Sequence, residues 1–147
     1  MSSHILVGFS TKRGSFLGWA TRFFTRWRHS HIVLIHEDGD RLLEATDEGG
    51  VREMPIEYLL QRDDVEIRMI PHPNPALVWE IATTKIGVEY DELYSWGYLF
   101  HSNWQDPNKL ACSEFLECCC REAGKALFPG VDGHFTARDF YLISKPL

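Results

Sequence analysis

"HIVLIHEDGDRLLEAT", residues 31–46, decides the fold. An apolar, β-branched run over residues 31–35 and a second apolar run over 41–46 flank Glu37-Asp38-Gly39-Asp40, the spacing of a β-hairpin. With a two- or four-residue loop, opposed residues have numbers that sum to 77, so His31 faces Thr46 and Val33 faces Glu44; a three-residue loop would shift the pairing. His31 and Glu44 then stand as diagonal neighbours on one face, about 7–8 Å apart at the backbone and within reach of a long carboxylate side chain. His36, by parity, belongs to the opposite face. An acid among Leu42, Leu43 and Ala45 is costly without a partner, and this register offers His31.

Outward from the hairpin, residues 4–10, "HILVGFS", suit a buried strand. Phe16, Trp19, Ala20, Phe23 and Trp27 form a helical stripe over residues 15–28, with Ser15 placed to cap it. Residues 51–62 read as a turn and a short helix, 65–71 as a strand, and "PHPNP" (71–75) as a breaker. A helix runs from Ala76 to Gly87, and an aromatic segment with Tyr90, Tyr94, Trp96, Tyr98 and Phe100 follows. The cysteine-rich "KLACSEFLECCCREAG" (109–124) is a further helix, and "FTARDFYLIS" (135–144) a capped turn leading into a strand. The expectation is a single α+β domain over residues 1–147, with a small antiparallel sheet.

The chain has 44% hydrophobic and 24% charged residues, an ordinary globular composition. No leader-like start and no span of bilayer length is seen, so a cytoplasmic setting with reduced thiols is expected. The net charge of −6 hides an asymmetry. Residues 1–36 carry Lys12, Arg13, Arg22, Arg26 and Arg28 and no acid, leaving 10 basic against 21 acidic residues in the rest. The basic segment of residues 12–28 is a candidate to meet an anionic membrane surface; nucleic acid ranks last among partners, resting on that charge alone. A solvated helix face is the plainer alternative.

On the cysteine helix, Phe115, Leu116, Cys119 and Ala123 fall within about 60° of Cys112, and Cys120 within about 80°. Ser113, Glu114, Glu117 and Arg121 point away or to the flank. Inward cysteines are most often small hydrophobes, which is how Cys118, Cys119 and Cys120 are read. Three adjacent helical cysteines splay over about 200° and cannot share one tetrahedral ion, so neither metal nor cofactor is expected. Cys112 differs by its place in the first turn, where free backbone N–H groups favour an anion. A helix end contributes roughly 0.3–2 kcal/mol, less than the roughly 3 kcal/mol needed to ionise a thiol at neutral pH. An imidazolium about 4 Å away supplies on the order of 4 kcal/mol at an effective dielectric near 20. A nucleophilic Cys112 therefore needs a histidine, and His31, steadied by Glu44, is the one on a rigid element with an orienting partner.

The order His, Glu, Cys, with "SHIVLI" (30–35), "LLEATDEGGV" (42–51), "GVEYD" (87–91), "ACSEF" (111–115) and "TARDFY" (136–141), resembles the circularly permuted branch of the NlpC/P60 cysteine peptidases. That papain-like group includes YiiX/YaeF-type proteins and lecithin:retinol acyltransferase relatives. The resemblance implies Cys112 as nucleophile, His31 as its base and Glu44 as the orienting residue. It implies Tyr90 as a residue lining the site or holding the oxyanion. It also implies a permuted papain-like fold, with the nucleophile helix packed on the sheet. The expected activity is thiol hydrolysis of an amide in a peptide-like or other acyl-bearing substrate. A lipid acyltransferase or thiol lipase at a membrane surface, and a catalytically dead binding module, are the alternatives.

Overall fold

A computed structural model of the chain describes residues 3–11, 29, 31–46, 49–89, 112–130 and 135–147. The strands are β1 (His4–Thr11), β2 (His31–Ile35), β3 (Arg41–Thr46), β4 (Gly50–Pro55), β5 (Asp63–Pro71) and β6 (Lys145–Pro146). They form one antiparallel sheet in the order β4-β3-β2-β1-β5-β6. Among the described residues the helices are α1 (Ile56–Leu60), α2 (Pro75–Thr84), α3 (Cys112–Glu122) and α4 (Ala137–Ile143). The architecture is α+β, as the hairpin and the alternation of strands and helices predict. None of these helices is long and apolar enough to cross a membrane.

The sheet is apolar on both faces. Val7, Phe9, Ile32, Leu34, Leu43 and Ala45 on one face belong to a core with Val78 and Ala82 of α2 and Phe115, Leu116, Cys119 and Cys120 of α3. On the other, Val33, Ile35 and Leu42 pack with Leu59 of α1. Each such side chain, fully buried, is worth roughly 1.5–3 kcal/mol. Gly8 makes the second contact close: a Cβ there would stand 2.6 Å from Leu59 Cδ2, so the bare backbone lets α1 lie down on the strands.

The hairpin closes with a four-residue loop, His36 N–H donating to Arg41 O at 2.9 Å. Leu34 pairs with Leu43 and Ile35 with Leu42, the expected register. That ladder stops there, although β1 and β2 stay paired down to Ser10 and His31. Toward His31 and Thr46, therefore, β2 and β3 part company. Helix α3 packs against both strands.

Three expectations are corrected. Residues 51–55 are strand β4, not a turn; as the outer strand of the sheet, with β3 as its neighbour, it tolerates Pro55 and a half-polar pattern. Residues 137–143 are helix, started by Asp139 Oδ2 accepting the Thr136 N–H at 2.8 Å, and the strand shrinks to Lys145–Pro146. Ser113 and Glu117 are buried, not outward. Glu117 accepts the N–H groups of Leu127 (3.0 Å) and Phe128 (3.3 Å), tying down the chain beyond α3. The expected helix over 15–28 and the aromatic segment from Tyr90 lie outside the described residues.

Candidate active site

Cys112 is the first residue of α3 and is partly exposed. Its sulfur hydrogen-bonds the His31 side chain and accepts the backbone N–H groups of Ile32 and Ser113. The first comes from the parting of the strands. Strand N–H groups alternate sides, and since His36 donates toward β3, so do Leu34 and Ile32. With the ladder ended, the Ile32 donor goes to sulfur. The second is a free donor of the helix start.

His31 is 6% exposed and Glu44 0%. His31 Nε2 lies 2.8 Å from Glu44 Oε2, which leaves Nδ1 as the ring nitrogen for Cys112. Burial alone would lower the imidazole pKa, but hydrogen bonds to Cys112 and Glu44 and their charges outweigh it, raising the value from 6.5 to about 9. Burial would likewise raise the Cys112 thiol; the hydrogen bond and charge of His31, with the two backbone donors, bring it below the ordinary value. Glu44, which burial would push up, is held at about 2 by His31, Arg62 and Arg52. Each of these shifts favours the charged form of its group: thiolate for Cys112, imidazolium for His31 and carboxylate for Glu44.

The structure thus brings together Cys112, His31 and Glu44. Tyr90 lies outside the described residues, as do His101 and His134. Other histidines are engaged elsewhere. His72 bridges the carbonyls of Cys120 (3.2 Å) and Lys125 (3.1 Å), His29 stands 3.6 Å from Glu66, and His36 sits at the far end of β2 beside Trp79. Burial raises the pKa values of Cys119 and Cys120, leaving those thiols neutral, and all four cysteines are free.

Two arginines went unread in the sequence. Arg52 reaches Glu44 Oε1 through Nε (3.2 Å) and Nη2 (3.0 Å), and Arg62 Nη2 lies 2.9 Å from both carboxylate oxygens. Arg52 faces Glu44 across the β3–β4 ladder, a signal available only once β4 is recognised as a strand. Arg62 gives no such signal, since it arrives from the turn after α1.

No protein-family model and no curated protein matches this sequence. Among solved structures, metalloprotein YiiX from Escherichia coli O157:H7 superposes with a TM-score of 0.63 at 17% identity, over 83% of this chain and 66% of that one. The chain shares the YiiX fold. It spans less than two thirds of YiiX in length.

Proposed function

We propose that this chain is a thiol hydrolase of the permuted NlpC/P60 kind, cleaving an amide in a peptide-like or cell-wall-type substrate. The observation that carries this is His31 held between an ionised Glu44 and the sulfur at a helix start. The Cys112 thiolate attacks the carbonyl carbon; a C–S bond forms and the carbonyl π pair moves onto oxygen. The Cys112 backbone N–H, a donor of the helix start, receives that oxyanion in this reading, with Tyr90 proposed beside it by resemblance. His31 gives its Nδ1 proton to the leaving nitrogen as the C–N bond breaks, leaving a thioester. Water then adds, its proton passing to His31, and the acid leaves as the thiolate returns. Glu44 keeps the ring oriented throughout.

Acyl electrophiles in two panels, peptide-like and lipid-like, read by mass spectrometry at Cys112, test this. Labelling by the peptide-like panel is expected, lost in Cys112→Ala and kept in Cys119→Ala. An active Cys112→Ala protein ends the proposal. Acyl transfer at a membrane is the second reading, favoured by the basic, aromatic segment of residues 12–28. Salt-sensitive liposome binding that depends on Arg22 and Arg26, with lipid-like labelling, would favour it.

YiiX is named a metalloprotein, a chemistry that calls for a set of free donor atoms. Cys112, His31 and Glu44 do not fit, because both ring nitrogens and both carboxylate oxygens are already taken. His36, Asp38 and Asp40 bring donor atoms within 4.8 Å of one another. Arg41 stands beside this cluster, 3.3 Å from His36 Nε2 and 3.6 Å from Asp40 Oδ2, and already brings a positive charge to it.

A further inference from the structure

Glu44 is more heavily held than orienting one imidazole requires. Facing it are His31 from β2, Arg52 from β4 and Arg62 from the turn into β5, with Cys112 of α3 beyond His31. Tyr58 of α1 stands between the guanidiniums, its ring centre 5.0 Å from Arg52 Cζ and 5.2 Å from Arg62 Cζ, and its hydroxyl 3.3 Å from Arg52 Nη2. The arginine side chains are 23% and 17% exposed while the carboxylate is sealed, so these interactions act at low dielectric. A lone buried carboxylate beside an imidazolium would bind its proton tightly. Two guanidiniums on the same carboxylate compete with the ring for that negative charge and repel the ring's positive one.

We propose that Arg52 and Arg62, braced by Tyr58, are positioning residues that immobilise Glu44 and draw part of its charge away from His31, so that the imidazolium can release its proton to a leaving group. This rests on Cys112 and His31 being the reacting pair. Arginine suits the task because its fork binds a carboxylate with fixed geometry and stacks on an aromatic ring.

The test is the titration of the His31 ring carbon-bound protons by NMR, in wild type and in Arg62→Gln, Arg62→Lys and Arg52→Gln. It needs no substrate. In wild type the midpoint is expected near 9. Arg62→Gln is expected to raise it by about half a pH unit or more, as one positive charge leaves a partly buried site. Arg62→Lys keeps the charge and is expected to leave it near wild type. Arg52→Gln should move it in the same direction as Arg62→Gln, and carries the test if the latter does not fold. Should wild-type His31 titrate at 6.5 or below, the hydrolase proposal itself falls. Should it titrate high while the glutamine variants leave it unmoved or lower it, or while lysine shifts it as far as glutamine, only the arginine proposal falls.

Discussion

At the scale of single residues, the chemistry turns on where one proton sits. His31 keeps its proton until the pH passes about 9, and Cys112 holds its charge only above its own depressed value. The proposed hydrolysis is therefore expected to follow a bell in pH whose alkaline limb reports His31. Glu44→Gln removes the carboxylate that supports the imidazolium, and the alkaline limb should move downward; a limb fixed in place would show that Glu44 does not act on His31. The same logic sorts the thiols. Iodoacetamide at neutral pH should label Cys112 far faster than Cys119 or Cys120, whose burial keeps them protonated, as site-resolved mass spectrometry would show. The closeness of His31 and Glu44 was legible in the sequence because a hairpin register is a local rule, and Cys112 stood out by its place at a helix start. Arg62 was not, since its contact with Glu44 spans 18 residues and depends on how α1 lies on the sheet.

Among elements, α3 does two jobs: it presents Cys112 at its start and fixes the following chain through Glu117 in its middle. Glu117→Ala would take the acceptor from the partly buried N–H groups of Leu127 and Phe128, a loss of about 1–3 kcal/mol measurable as a lower urea midpoint. A midpoint within error of wild type would assign those groups another partner. Helix α1, only five residues long, is held by Leu59 on the bare backbone of Gly8. Leu59→Ala should cost about 2–5 kcal/mol. Because α1 also carries Tyr58 and leads into Arg62, that change should disturb the His31 midpoint as well. Periodicity found β1, β2, β3, β5, α2 and α3. It missed β4, where pairing with β3 overrides a weak local pattern, and misjudged Glu117, because a helix wheel cannot foresee a returning chain that needs an acceptor.

For the whole molecule, Glu44 links folding to acid. Its folded pKa of about 2 lies below the ordinary carboxylate value near 4.3, so it contributes stability that is complete above about 4.3 and lost as the pH falls toward 2. Melting temperature against pH should show an acid flank that Glu44→Gln flattens; an unchanged flank would place the acid sensitivity in other carboxylates. The YiiX likeness covers 83% of this chain, so the shared architecture includes most of what the sequence could specify. The site, though, depends on something the sheet omits. A fully zipped β2–β3 seam would hand the Ile32 amide to the carbonyl of Ala45, adding a rung worth roughly 0.5–1.5 kcal/mol and withdrawing a donor from the sulfur. In the proposed hydrolase, reactivity is kept by leaving that rung unmade, and substitutions that tighten the seam would trade a dormant thiol for a sturdier protein.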